Sequence, residues 1–185
     1  MNLLSIDTAS SIFSVAVGIG AETYYTETEA GVRHSEDAMV LIDEQMKKAS
    51  LKPEDLNGVL CMGGPGSFTG LRIAYSIAKG LALSLSIPFA SVPTFDCVSF
   101  NTSGLVLTAI EARKNSWYYA IYRDNVLQSG IKEGGIEQIN AENIRVIYKT
   151  RGYAKELLEI GKTLDFSDTG ALFSGPEYFR DVVSG

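Results

Sequence analysis

The sequence predicts an α/β protein built from two copies of one β-β-β-α-β unit, the second abbreviated. Three observations carry that expectation. The early segment "LLSIDTASSIFSVAV" recurs as "LVLTAIEARKNSWYYAIY", so that Ile6-Asp7 aligns with Ile110-Glu111, 104 residues further on. At the same offset Ala16-Val17 meets Ala120-Ile121 and Phe13 meets Trp117. Both copies then continue into a third strand-like run, "ETYYTET" in the first and "VLQSGI" in the second. Long-range self-similarity fixes architecture ahead of local detail. It divides the chain into an N-terminal lobe, 1–103, and a shortened C-terminal lobe, 104–185.

The elements follow in order. Residues 3–6 form a short apolar run, and Thr8, Ala9, Ser10 and Ser11 supply turn chemistry. Residues 12–17 alternate weakly before Gly18 and Gly20, and residues 22–28 are rich in Tyr and Thr, as a third strand would be. In "HSEDAMVLIDEQMKKAS", residues 34–50, Ala38, Leu41, Ile42 and Ala49 recur at helical spacing with Asp43, Glu44, Lys47 and Lys48 opposite. Ser35, Glu36 and Asp37 place a cap and two acids at that helix start, and His34 reads as a packing or capping residue. Residues 56–62 are the next strand, 68–85 a second helix, and 88–91 a strand between Pro88 and Pro93. In the second lobe "AENIRVIYKTRGYAKELLEIGKTL" offers one strand, 144–148, and one short helix from about residue 153.

The second helix is apolar nearly all round, which marks a buried element. Gly70, Ala74, Ala78 and Ala82 form a ladder of small residues flanked by Leu71, Ile73, Ile77 and Leu81. Small residues let another helix approach closely. Two helices packed together on one sheet account for most of the pattern, and a subunit interface is the sharper reading. Its candidates are Met39, Ile42 and Met46 on the first helix and Leu71, Ala74, Tyr75, Ala78 and Ala82 on the second.

Between strand and helix stands "GGPGSFTGLR", residues 63–72. A glycine-rich turn opening a helix can bind an anion on its free N–H groups. It matches neither standard nucleotide template. A P-loop needs Lys and then Ser or Thr after its last glycine, and here Leu71-Arg72 follow Gly70. The dinucleotide fingerprint needs a third glycine where Thr69 stands. Gly63, Gly64 and Gly66 read as shapers of a strand–helix junction, with Ser67 or Thr69 as the cap. Gly64, Gly66 and Ser67, together with Asp7, are also the candidate contacts for a nucleotide held against a partner. Asp7 reads ahead of that as an Asx turn with the small polar residues behind it, and Glu111 is the same case in the second copy.

Composition excludes several classes. A 185-residue chain that is 45% hydrophobic can bury a core. Acidic residues number 22 against 16 basic, a net charge of −6, and nucleic-acid binding is driven by clustered cations. The basic series Arg145, Lys149, Arg151 and Lys155 is sparse and reads as a solvated face, so no strong direct RNA binding is expected. His34 is the one histidine, which leaves a zinc site without ligands and a serine-type triad without a G-x-S-x-G elbow. No apolar run reaches membrane-spanning length, the start carries no signal-peptide pattern, and Cys61 and Cys97 stand apart. The expectation is a cytoplasmic protein without a metal.

A duplicated β-β-β-α-β unit with an acid after strand one is similar to the actin-like ATPase (ASKHA, ribonuclease H-like) fold. Within it, "LLSIDTA", His34-Ser35-Glu36, "GPGSFTGLRI", "IPFASVPTFD", "AIEARKNSWYYAIY" and the closing "PEYFR", residues 176–180, resemble the bacterial TsaB (YeaZ) family. The match is dense over residues 1–123 and thin from there to 175. The resemblance implies a non-catalytic scaffold or activator in forming N6-threonylcarbamoyladenosine at position 37 of tRNA. It implies a TsaD-like catalytic subunit as partner, docked on the two N-terminal helices, and a TsaE-like ATPase joining them. No cofactor of its own is expected, with ATP or ADP at the interface with the TsaD-like subunit. A homodimer through the same helices is the expectation when that partner is absent. The competing reading is a small actin-like phosphotransferase using ATP; peptidase activity is a third, opposed by the single histidine.

Overall fold

The computed structural model describes residues 1–29, 34–142, 144–166 and 175, with the backbone alone at 34–37 and 141. The His34, Ser35 and Glu36 side chains and the 176–180 stretch therefore lie outside the described residues.

The first sheet begins with β1 (Asn2–Asp7), β2 (Ile12–Ile19) and β3 (Glu22–Glu29), an antiparallel meander. Helix α1 (His34–Lys48) leads to β4 (Gly58–Gly64), which pairs parallel with β1. Helix α2 (Phe68–Leu85) then leads to β5 (Phe89–Pro93), parallel to β4, and the order is β3-β2-β1-β4-β5. A short helix, α3 (Thr94–Ser99), connects to the second sheet.

That sheet repeats the plan. Strands β6 (Leu105–Arg113) and β7 (Ser116–Arg123) pair antiparallel, and β10 (Arg145–Tyr148) pairs parallel with β6. The third strand of this copy is broken. Where the sequence suggests one run over 126–131, the structure has two short pieces, β8 (Val126–Leu127) and β9 (Lys132–Gly134), both on β7. Asp124 and Asn125, both at positive φ, make the hairpin turn from β7 into β8, and residues 128–131 carry no strand before β9 returns to β7. Among the described residues three further short elements went unread in the sequence: a 3-10 turn at Pro53–Asp55, α3 and α4 (Ile136–Ala141). The last described helix is α5 (Ala154–Gly161).

Strands β1, β2 and β4 are buried on both faces, and each face has its own cover. Alternation along β1 sends Leu4 and Ile6 into the core under α1 and α2, with Phe13, Val15 and Val17 from β2. The other residues of these strands, Leu3, Ser5 and Asp7 with Ser14, Ala16 and Gly18, face the opposite way. Small side chains there make a seat for α5, whose Leu158 lies against Gly18 and whose Gly161 lies against Leu60. A second core joins Leu3, Leu60 and Met62 to Phe95, Val106, Ile110, Tyr122, Leu157 and Leu158, filling the space between the two sheets. A third lies outside the second sheet, where Ile139 of α4 covers Leu107, Ala109 and Tyr119. Helix α5 belongs by chain order to the 104–185 lobe, yet it packs on β1, β2 and β4 of the first. The junction between the lobes is thus a packed seam.

The seam also carries a pH-dependent contact. The Tyr122 hydroxyl donates to Asp96 Oδ1 at 2.6 Å. Burial foremost, and then that hydrogen bond, push the phenol well above the ordinary tyrosine range. A group raised on folding contributes stability that is complete below its unfolded pKa, about 10, and is lost as pH climbs toward the folded value. Tyr122→Phe is therefore expected to flatten the alkaline decline in stability above about pH 10, at a cost of about 1 kcal/mol near neutrality. Urea unfolding midpoints from pH 8 to 11 check it.

Candidate functional site: the interlobe seam and the outer helix face

Asp7 ends β1 with its side chain on the α5 side of the sheet. Its Oδ1 accepts the Ala9 N–H at 3.0 Å, which is the Asx turn. Its Oδ2 accepts two further bonds, from Lys149 Nζ at 2.8 Å and from the Tyr153 N–H at 2.8 Å. Both side chains of the pair are 0% exposed. Lys149 Nζ also donates to Ser10 Oγ at 3.2 Å and to the Arg151 carbonyl at 3.1 Å. The sequence reading put Lys149 on a solvated basic face; it is instead a buried counter-ion that crosses between lobes.

The rest of the turn after β10 is fastened to the same sheet. Glu27 accepts the Gly152 N–H at 2.8 Å and the Tyr25 hydroxyl at 2.6 Å. The Tyr25 hydrogen bond, followed by the Gly152 N–H, holds the Glu27 carboxyl below its ordinary value. Ser14 Oγ accepts from the Ala154 N–H, and Ser5 Oγ donates to the Ala154 carbonyl at 2.7 Å. Arg151 pairs with Glu156 at 2.6 Å and stacks on the Tyr153 ring. Residues 149–154 are a clasp that takes Asp7 and Ser5 of β1, Ser14 of β2, and Tyr25 and Glu27 of β3 as polar partners.

The glycine-rich loop is likewise used internally. The Ser67 N–H donates to the Ala9 carbonyl at 2.7 Å, and Ser67 Oγ accepts from the Gly70 N–H at 3.2 Å as the cap of α2. The Thr8 hydroxyl donates to the Gly70 carbonyl at 2.6 Å. A β-carbon on Gly66 or Gly70 would run into the backbone of Ala9 or Thr8, so both glycines serve a close backbone approach. Gly64 pairs with Pro93 of β5 at a register shift. Asp7, Gly64, Gly66 and Ser67 were candidates for holding a nucleotide. As folded, both Asp7 carboxylate oxygens are engaged within the chain, the Ser67 N–H and Oγ are used to hold the loop and cap α2, Gly66 lies against the Ala9 backbone, and Gly64 pairs with Pro93.

The chemistry a magnesium–nucleotide needs does not fit these residues. Asp7 already carries a cation on the oxygen that would meet one, and Glu111, its counterpart in the repeat, is exposed at the far end of β6. Among the described residues no three His, Cys, Asp or Glu side chains converge as metal ligands would. Cys61 and Cys97 are buried, and burial raises both thiols, which keeps them from acting as thiolates. Among the described residues no helix is long and apolar enough to cross a membrane.

The interface candidates need correcting. Ile42, Met46, Leu71, Ala74, Tyr75, Ala78 and Ala82 are all buried in the core beneath α1 and α2 or in the seam. Their small-residue ladder lets α2 lie close on the sheet. Only Met39 of that set is exposed, at 46%. The outward face carries other residues: Val40 at 56% on α1, and on α2 a line of Phe68 at 48%, Arg72, Ser76 and Leu83 at 66%. Arg72 stacks over the Phe68 ring at 3.9 Å.

Comparison with known proteins adds the following. The family model described as "TsaD: tRNA N6-adenosine threonylcarbamoyltransferase" matches residues 23–146. A Bacillus subtilis protein named tRNA threonylcarbamoyladenosine biosynthesis protein TsaB is 31% identical over 144 residues, covering 75% of this chain and 59% of that relative. A protein of the same name from Buchnera aphidicola of Acyrthosiphon pisum is 29% identical over 175 residues, 88% of this chain and 79% of that one. The match thus spans about three-fifths of the Bacillus relative's length. A crystal structure of a Pseudomonas aeruginosa protein, described as similar to peptidase YEAZ, superposes with a TM-score of 0.83 at 19% identity. It covers 97% of this chain and 99% of that one, and shares the fold.

Proposed function

Because the chain belongs to the TsaB (YeaZ) family, we propose that it is a non-catalytic scaffold and activator subunit in forming N6-threonylcarbamoyladenosine at position 37 of tRNA. A TsaD-like catalytic subunit docks on the outer face of α1 and α2. The observation that carries this reading is the exposed line Phe68, Arg72 and Leu83, beside Met39 and Val40 on the helix packed next to it. Large apolar side chains held outward on two neighbouring rigid helices, with an arginine stacked on an aromatic ring, are typical of an interface centre. A TsaE-like ATPase joins the pair, a homodimer forms through the same face when the partner is absent, and the assembly works in the cytoplasm. ATP or ADP, if handled by the pair, lies at the partner interface away from Asp7. The phosphotransferase alternative needs Asp7 free to hold a cation, and Lys149 holds that carboxylate.

Light scattering of the chain, alone and mixed with its host's TsaD-like subunit, tests the proposal. The expected result is a one-to-one complex. Leu83→Arg is expected to weaken pairing at least about tenfold, or about 1.4 kcal/mol, with an unchanged melting curve because Leu83 makes little core contact. Substitutions at Ala74 or Ala78 would report on folding instead. No complex, or full pairing by both Leu83→Arg and Val40→Arg, would overturn the docking face.

A further inference from the structure

The turn after β10 and the first turn of α5 have the make-up of an anion site, and an anion is already in it. Both β1 and β10 end at the seam, and ligands of α/β sheets gather at the carboxyl ends of parallel strands. Here a strand end, a turn and a helix N-terminus converge on one carboxylate. The Tyr153 N–H at the start of α5 donates to Asp7 Oδ2, and the helix dipole favours negative charge at that place. A separate observation points the same way. Lys149 holds an ammonium with no exposed surface 2.8 Å from the same oxygen. A buried ammonium at a helix start is the chemistry that recognises a phosphate or carboxylate group.

We infer that residues 149–153 and the start of α5 form an anion-binding cradle whose resident ligand is the chain's own Asp7 carboxylate. The occupant arrives from the other lobe, 142 residues away in sequence. It closes the seam to an external phosphate group while it fixes α5 on the first sheet. The lobes are joined at the place where a cleft-type ligand would otherwise part them, so the chain needs no bound nucleotide to hold the two sheets together. This inference concerns the seam and stands apart from the docking face on α1 and α2.

The test is chemical rescue in the full chain. Asp7→Ala removes the resident carboxylate and leaves the ammonium, the N–H and the space. Formate, and inorganic phosphate if the cavity admits it, are then expected to raise the variant's melting temperature by about 2–4 °C in a saturable way. The wild type should show no such gain, and neutral formamide should produce none. Adding Lys149→Met to Asp7→Ala should abolish the response. A folded Asp7→Ala that ignores formate would overturn the inference. If that variant fails to fold, the wild type still decides. The Tyr153 amide signal in a ¹H–¹⁵N spectrum should stay in place through titrations with inorganic phosphate and with magnesium–ATP. A saturable shift centred on Tyr153 would overturn the inference, because the cradle would then be open.

Discussion

Lys149→Met is expected to destabilise the folded chain by about 3–5 kcal/mol, the range for removing one partner of a buried ion pair. Methionine fills nearly the same volume, so the loss is one of charge and not of packing. It would leave the Asp7 carboxylate buried with only the Ala9 and Tyr153 N–H groups for company. The Arg151 carbonyl would lose the ammonium donor as well, and Ser10 Oγ would keep only the Ile12 N–H. The double change Asp7→Asn with Lys149→Met removes both charges and is expected to recover a large part of the loss, since two neutral groups of similar shape avoid the stranded charge. Urea unfolding of the wild type, both single variants and the double at pH 7 gives the coupling energy directly. A loss under about 1 kcal/mol for Lys149→Met would mean that water reaches Asp7 and that the pair behaves like a surface one.

Much of the architecture could be read from the chain because the repeat is written in side-chain type. The alignment of Ile6-Asp7 with Ile110-Glu111 correctly anticipates two sheets of one plan, β1-β2-β4 and β6-β7-β10. What the repeat could not show is where its two acids end up. Asp7 meets a lysine and a helix start from the other lobe, whereas Glu111 points into solvent. Their local sequences differ, Asp7-Thr8-Ala9-Ser10 against Glu111-Ala112-Arg113-Lys114, but neither shows which acid meets a cation from the other lobe. Lys149 looked like one cation of a sparse series, and only the pairing of β10 with β6 brings it under the first sheet.

The helix faces failed for a different reason. A helix that is apolar nearly all round does not say which side meets the sheet. Ala74, Ala78 and Ala82 suit a close helix partner and a close sheet equally well, and the sheet took them. The signal that would have separated the two was the spacing of Phe68, Arg72, Ser76 and Leu83, which runs along the opposite side. The same blindness hid the seat of α5. Ser14, Ala16 and Gly18 alternate with Phe13, Val15 and Val17, and that small-residue face was visible in the sequence as a place for something to lie close.

Gly70→Ala and Gly80→Ala, two identical changes in α2, are expected to act in opposite directions. Alanine is the better helix former at both sites, by about 0.8–1 kcal/mol. At Gly80 a β-carbon meets nothing within 4 Å, so that gain should be seen as a modest rise in stability. At Gly70 the added carbon would overlap the Thr8 carbonyl oxygen, and its other near neighbour is the Ser67 cap. Neither can yield cheaply, because Thr8 is bonded back to Gly70 and Ser67 is tied to Ala9. The first turn of α2 would have to lift off the turn that follows Asp7, at a cost of about 3 kcal/mol, the upper end of overpacking penalties. Thermal and urea unfolding of the two variants side by side measures the difference. Because helix propensity is common to both, a fall at Gly70 with a rise at Gly80 isolates the close approach of loop and turn. Equal gains at both sites would place α2 farther from Thr8, and the glycine-rich loop would then have room at its backbone for a ligand.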